Sequence, residues 1–138
     1  MARILSLLCG LLIAGLVHAG PFAIGTGDVR TILQNSQSTA YTTVLTDCGK
    51  QIYHPGADTT ARTWTIDSNA NVAAPIGCAL TFINDTSAGV ITIAITSDTL
   101  LLSGTGGAGS RTLAASCMAT AIKIATTRWM ISGGACLT

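Results

Sequence analysis

Glutamate is absent from this 138-residue chain, and lysine occurs only at positions 50 and 123. Both residues usually fill the exposed faces of helices, so their scarcity argues against a helical bundle or a coiled coil. Only 9% of the residues are charged, against about 25% in ordinary soluble domains. The formal net charge of +1 provides no basic surface, and we therefore expect no nucleic-acid partner.

Short runs of β-forming residues recur along residues 41–138, and glycine, proline and asparagine interrupt them at intervals of about 8–12 residues. In one such run Ile91, Ile93 and Ile95 alternate with small polar or small apolar residues, which places the isoleucines on one face of a strand. The pattern predicts an all-β fold, namely a small antiparallel sandwich or barrel of about eight strands. We expect Trp64 and Trp129 in its core; the alternative is an exposed sugar-binding platform.

An apolar segment precedes this β-domain. Residues 1–19 combine the basic Arg3, an apolar run and the small residues Val17 and Ala19, which is the layout of a cleavable secretory signal. The run is shorter than the span of about 20 residues that a transmembrane helix needs. The segment is therefore predicted to be a signal peptide or an apolar anchor that contacts a membrane or a partner. Residues 20–40 are predicted to be an arm or linker.

Cleavage after Ala19 would remove Cys9 and leave four cysteines, an even number that suggests two disulfides in an exported protein. The C-terminal hairpin indicates how they pair. If Ala125 lies opposite Arg128, then Ile124 faces Trp129 and Ile122 faces Ile131.

The same register places Cys117 opposite Cys136, within disulfide distance. This predicts a Cys117–Cys136 disulfide and, by elimination, a Cys48–Cys78 disulfide. A bulge at Gly133 and Gly134 would shift the pairing by one residue. The alternative is four buried free thiols, in a protein that is assembled in a reducing cytoplasm.

The remaining motifs carry little chemistry. The segment Gly104–Gly109 matches G-x-G-x-x-G, but no helix signal follows it, so we interpret it as a flexible loop tip. His54 has Asp47 and Asp58 nearby in sequence but no nucleophile in a fixed position, and we interpret it as a turn residue. The tripeptide Asn84–Thr86 is a glycosylation sequon that we interpret as a tight turn.

Zinc ligands usually occur in closely spaced pairs, and the histidine and cysteines of residues 41–138 do not. We therefore predict no metal, no cofactor and no catalytic residues, and we expect the protein not to be an enzyme.

Eight short segments between residues 41 and 138 form a further pattern: Leu45–Lys50, Tyr53–Pro55, Thr63–Ile66, Pro75–Gly77, Leu80–Asp85, Ile93–Leu100, Gly109–Ala114 and Trp129–Gly133. In these segments the chain resembles a small β-domain of tailed-phage virion proteins. The chain departs from that pattern at Cys48, Cys78, Cys117 and Cys136, where small residues or threonine are commoner in such domains. The apolar leader is a second departure.

The resemblance implies a non-catalytic virion structural protein, either a capsid decoration (cement) protein or a fibre-type attachment module. Its expected partners are other virion proteins, such as major capsid or tail proteins, or copies of itself in a homo-oligomer, with a trimer favoured. The cysteines and the leader keep a second hypothesis open. In that hypothesis the chain is an exported, disulfide-stabilised bacterial surface protein, such as an adhesin or a filament subunit.

Overall fold

A computed structural model describes residues 31–138 of the chain. The predicted signal or anchor, 1–19, and the first part of the predicted arm lie outside the described residues. The described part is almost entirely strands and turns, which confirms the all-β class, and none of its helices is long and apolar enough to cross a membrane. The strands are β1 (Gln34–Ser36), β2 (Tyr41–Thr42), β3 (Gln51–His54), β4 (Arg62–Ile66), β5 (Ala79–Asn84), β6 (Ile91–Ile95), β7 (Thr99–Leu102), β8 (Arg111–Leu113), β9 (Cys117–Ala125) and β10 (Arg128–Ser132). Two short 3₁₀ turns cover Leu45–Asp47 and Gly134–Cys136.

The strands form two sheets with a shared core. The larger sheet has the order β1-β3-β5-β9-β10-β7, and the smaller sheet has the order β2-β4-β6-β8. Strand β1 lies in the region predicted as an arm, so that region contributes an edge strand to the larger sheet.

The predicted antiparallel arrangement is wrong for much of the fold. Strands β1 to β6 alternate between the two sheets, and each of β3 to β6 pairs in parallel with the strand two positions earlier. Strands β7 and β10 also pair in parallel. Antiparallel pairs occur between β5 and β9, between β9 and β10 and between β6 and β8. The turn residues mark where each strand ends. The turn residues do not show that the chain crosses to the opposite sheet after each strand. For this reason the sequence favoured antiparallel pairing of consecutive strands.

The predicted register of the last hairpin is also wrong beyond its first pair. Arg128 pairs with Ala125 as predicted, but a bulge then shifts the pairing, so that Trp129 lies opposite Lys123 and Ile131 opposite Ala121. The bulge reverses the side-chain directions of β9, because a shift of one residue moves every side chain to the other face. Lys123 therefore points into the core, and Ile122 points outward.

Both tryptophans lie in the core, as predicted. Trp64 from the smaller sheet is fully buried, and its ring centroid lies 6.2 Å from that of Phe82 in the larger sheet. Its indole N–H donates a hydrogen bond to the carbonyl of Thr39. Trp129 is 2% exposed and belongs to the same apolar cluster. The alternative interpretation of these tryptophans, an exposed sugar-binding platform, is therefore wrong.

Both predicted disulfides are present. Cys48 bonds to Cys78 with a Cα–Cα distance of 5.0 Å, and Cys117 bonds to Cys136 with a Cα–Cα distance of 5.9 Å. The second pair does not extend the hairpin register, because β10 ends at Ser132. The turn Gly134–Cys136 instead folds the chain back towards β9.

Candidate functional site

His54 is a buried residue at the end of β3 and not a turn residue as predicted. Its Nδ1 lies 2.9 Å from Oδ1 of Asn84, and its Nε2 lies 3.0 Å from Oδ2 of Asp58. Its ring also meets the indole of Trp64 edge to face, at 5.8 Å between centroids. The structure thus brings together His54 and Asp58, one of the two carboxylates near it in sequence.

Asp58 connects this histidine to Arg62 at the start of β4. The guanidinium donates two hydrogen bonds to the carboxylate, at 2.8 and 3.1 Å. These bonds, followed by the contact with His54, hold the pKa of Asp58 well below its ordinary value, because they favour the charged carboxylate. Every contact of the network runs between parts of the fold. The network therefore stabilises the connection between β3 and β4.

Asp47, the other carboxylate, lies in a separate buried cluster. It accepts a hydrogen bond from the Tyr41 hydroxyl at 2.7 Å and another from the Asn35 amide at 3.0 Å. Burial and then the bond to Asp47 raise the pKa of Tyr41 to about 12. This cluster connects β1 and β2 to the turn before β3.

The sequon residue Asn84 is the last residue of β5, and only 1% of its surface is exposed. Its amide donates to the carbonyls of Gly89 and Leu113. In the folded protein this side chain is inaccessible to a glycosyltransferase. Asn84 therefore has a structural role that the turn interpretation missed.

The glycine-rich segment is a loop between β7 and β8, which lie in different sheets. It folds back on β7, where the Gly106 N–H donates to the carbonyl of Leu102 and the Gly109 N–H donates to that of Leu100. A strand follows it, so the helix N-terminus that a dinucleotide phosphate requires is missing at this place. Within residues 31–138, no group of three histidine, cysteine or acidic side chains could hold a metal ion.

A shallow groove of about 300 Å³ lies beside the end of β5 and the start of β9. Asp85 lines it, and its carboxylate accepts bonds from the Tyr53 hydroxyl and the Thr86 N–H. The bond from Tyr53 is the main reason that the pKa of Asp85 is lowered, and the same bond raises the pKa of Tyr53. These bonds hold the Asp85 carboxylate in place at the wall of the groove.

A further surface feature is the outer face of the larger sheet, which we define as the side chains that point away from the smaller sheet on β5, β9 and β10. Met118, Ile122 and Met130 are 57%, 44% and 38% exposed on this face. Ile122 lies directly opposite Met130, and Thr120 lies opposite Ser132. An apolar groove of about 260 Å³ lies on this face and is lined by Ser103, Thr120, Ile122, Ile124, Met130 and Ser132.

The opposite side of the sandwich has a different character. The smaller sheet turns a row of threonines to solvent, in which Thr42 pairs with Thr65, Thr63 pairs with Thr92, and Thr92 pairs with Thr112. One side of the module is therefore rich in threonine hydroxyl groups, whereas the other exposes methionine and isoleucine among threonine and serine side chains. Apolar area on a soluble domain marks a contact surface more often than hydroxyl-rich area does.

The chain matches no family model, no curated protein and no solved structure.

Proposed function

We propose that the protein is a non-catalytic virion structural protein, a capsid decoration (cement) or fibre-type attachment module, that associates with copies of itself through the outer face of the larger sheet. The observation that carries the proposal is the apolar outer face around Met118, Ile122 and Met130. The resemblance of residues 41–138 to tailed-phage virion domains supports a role in a virion.

A second copy of the chain suits this face because the centre of the face has no charge. Arg128 stands at the end of β10, while the paired positions around Ile122 and Met130 are threonine, serine and aliphatic side chains. Two such faces can approach without repulsion between like charges, and burying their exposed methionines and isoleucines is favourable. Three copies can place these faces around a common axis, which is the trimer that the resemblance favours.

The oligomeric state tests the self-association. We expect the purified protein to sediment as a homo-oligomer, and we expect Met130→Glu or Ile122→Glu to shift it towards the monomer, because each would bury a charge at the interface. Thr63→Glu on the threonine side is the matched control and should leave the oligomer intact. A monomeric wild-type protein, or an oligomer that resists both substitutions, would overturn this assignment.

The virion role has its own test. Mass spectrometry of purified particles from the host strain should detect the chain at a stoichiometry that is constant between preparations. Its absence from the particles would end the virion proposal while leaving the self-association to be judged separately.

The two disulfides favour a second candidate, an exported bacterial surface protein such as an adhesin or a filament subunit. Disulfides persist in oxidising compartments and are rare in the cytoplasm. The intact mass of native material separates the candidates. A chain that starts at Gly20 and is found on the cell surface supports export, whereas a chain that starts at or near Met1 in particles supports the virion role.

A further inference from the structure

Lys123 is buried in the core of the sandwich with 1% of its surface exposed. Its Nζ lies 2.6 Å from Oδ1 of Asn69 and 5.6 Å from the centroid of the Trp129 ring. The salt bridges within residues 31–138 join Asp58 to His54 and to Arg62, so no described carboxylate pairs with Lys123.

A buried ammonium group without a carboxylate partner is costly, because an amide oxygen and an aromatic face replace only part of its hydration. A reaction that removes the charge would relieve this cost. The side chain nearest to the amine is a carboxamide, and an amine can displace ammonia from a carboxamide.

We propose that Lys123 and Asn69 form an intramolecular isopeptide bond. The Nζ of Lys123 attacks Cγ of Asn69, the new C–N bond forms, and the bond from Cγ to Nδ2 breaks. The ammonium group of Lys123 gives up two protons in this step, one to free the lone pair that attacks and one as the C–N bond forms. The departing Nδ2 takes both protons and leaves as an ammonium ion, so atoms and charge balance. The step is a transamidation that needs no oxidant, reductant or second substrate, and it replaces a buried cation with a neutral amide.

The fold already holds the two reacting groups together. A C=O bond is about 1.23 Å long, so the hydrogen bond from Nζ to Oδ1 keeps Nζ within about 4 Å of Cγ. The turn that carries Asn69 is fixed by a bond from its N–H to the Asp98 carboxylate at 3.0 Å. The backbone of Lys123 is fixed by a bond from its N–H to the carbonyl of Cys78 at 2.9 Å. Because the fold holds the amine and the carboxamide in contact before they react, the reaction does not require the two groups to find each other by diffusion.

The position of the bond suits a cross-link. Asn69 lies in the turn after β4, and Lys123 lies on β9, 54 residues further along the chain. The bond would join the β4–β5 connection, which crosses from the smaller sheet to the larger sheet, to strand β9 in the middle of the larger sheet. Cys78 of the Cys48–Cys78 disulfide lies next to Lys123 in the structure. This inference depends on the buried contact alone and holds for either function proposed above.

Peptide mapping of the folded, purified protein tests the bond. After reduction, alkylation and trypsin digestion, an unmodified chain yields a peptide Thr63–Arg111 and separate peptides that end at Lys123 and Arg128. The isopeptide bond blocks cleavage after Lys123, so we expect Thr112–Arg128 joined to Thr63–Arg111 with the mass of one ammonia molecule missing. Fragmentation should show the branch at Asn69 and Lys123.

Asn69→Ala and Lys123→Met should restore the mass of the unmodified chain, while Asn71→Ala, on the exposed neighbour in the same turn, should retain the cross-link. Loss of ammonia through a succinimide at an asparagine would leave Lys123 cleavable and would count against the proposal. Complete recovery of the linear peptides from folded wild-type protein would overturn it, and this wild-type result decides the matter even if a variant fails to fold.

Discussion

The side-chain amide of Asn84, on β5 of the larger sheet, donates a hydrogen bond of 3.1 Å to the main-chain carbonyl of Leu113, on β8 of the smaller sheet. The same amide donates to the carbonyl of Gly89, and its oxygen faces Nδ1 of His54. One buried side chain thus connects both layers of the sandwich and uses all of its polar atoms.

Replacing this amide should destabilise the protein. Asn84→Ala removes the partner of the Gly89 and Leu113 carbonyls and of one histidine nitrogen, and we expect a loss of about 3 kcal/mol in the free energy of unfolding. Urea denaturation followed by tryptophan fluorescence measures it. Asn71→Ala in an exposed turn is the control and should change stability by less than about 0.5 kcal/mol. Equal effects of the two substitutions would contradict the structural role of Asn84.

The disulfides should contribute strongly to stability because each closes a substantial loop. Cys48 and Cys78 are separated by 30 residues, and Cys117 and Cys136 by 19. From the chain entropy of loops of this size, we expect each double substitution to alanine to cost about 3–4 kcal/mol, with the larger cost for the first pair. Denaturation of the two double variants, compared with the oxidised parent, measures both costs. A parent that is no more stable than either variant would argue against the pairing.

Acid should weaken the Asp58 network. The pKa of Asp58 is lower in the folded state than in the unfolded chain, so its contribution to stability is complete above a pH of about 4 and is lost as the pH falls through the folded-state pKa. Asp58→Asn should therefore be less stable than the parent at neutral pH and should depend less on pH in the acid range. Denaturation midpoints between neutral pH and the acid limit measure this difference. Parallel pH profiles of parent and variant would contradict it.

Gly89 should not tolerate a side chain. A Cβ at this position would lie 2.2 Å from the carbonyl oxygen of Thr60, where the connections before β4 and before β6 cross. The Gly89 N–H also donates to the carbonyl of Asp58. We expect Gly89→Ala to cost about 1–3 kcal/mol through overpacking.

The matched control for this substitution is Gly107→Ala in the glycine-rich loop. Its nearest atom would be the Thr105 side-chain oxygen at 3.5 Å, an ordinary contact. Thermal unfolding should therefore rank the control close to the parent and Gly89→Ala well below it. Equal unfolding temperatures of the two variants would contradict the close contact between Gly89 and the Thr60 carbonyl.

Local patterns predicted the strands well because a strand is a local property. The alternation of Ile91, Ile93 and Ile95 predicted a strand, and β6 spans Ile91–Ile95. The pairing of the strands could not be read in the same way. Whether β4 pairs with β3 or with β2 depends on where the chain crosses between layers, and no residue near the turn encodes that choice.

The same limit applies to side chains with unusual surroundings. The predicted register placed Ile122 and Ile124 on the same face as Ile131 and Trp129, because large apolar side chains are normally buried together. The bulge after Arg128 reverses that assignment, and Asn69, which receives the lysine, is distant in sequence. His54 was misread for a related reason, since its partner Asn84 lies on another strand.

Strand β9 lies between β5 and β10 although it is next to last in the chain. Until residues 117–125 have been synthesised, β5 therefore has an open edge whose backbone groups are unpaired. During synthesis the parallel strands can pair early, but the larger sheet cannot be completed before β9 has left the ribosome. A product that lacks β9 would therefore expose an unpaired strand edge that favours aggregation.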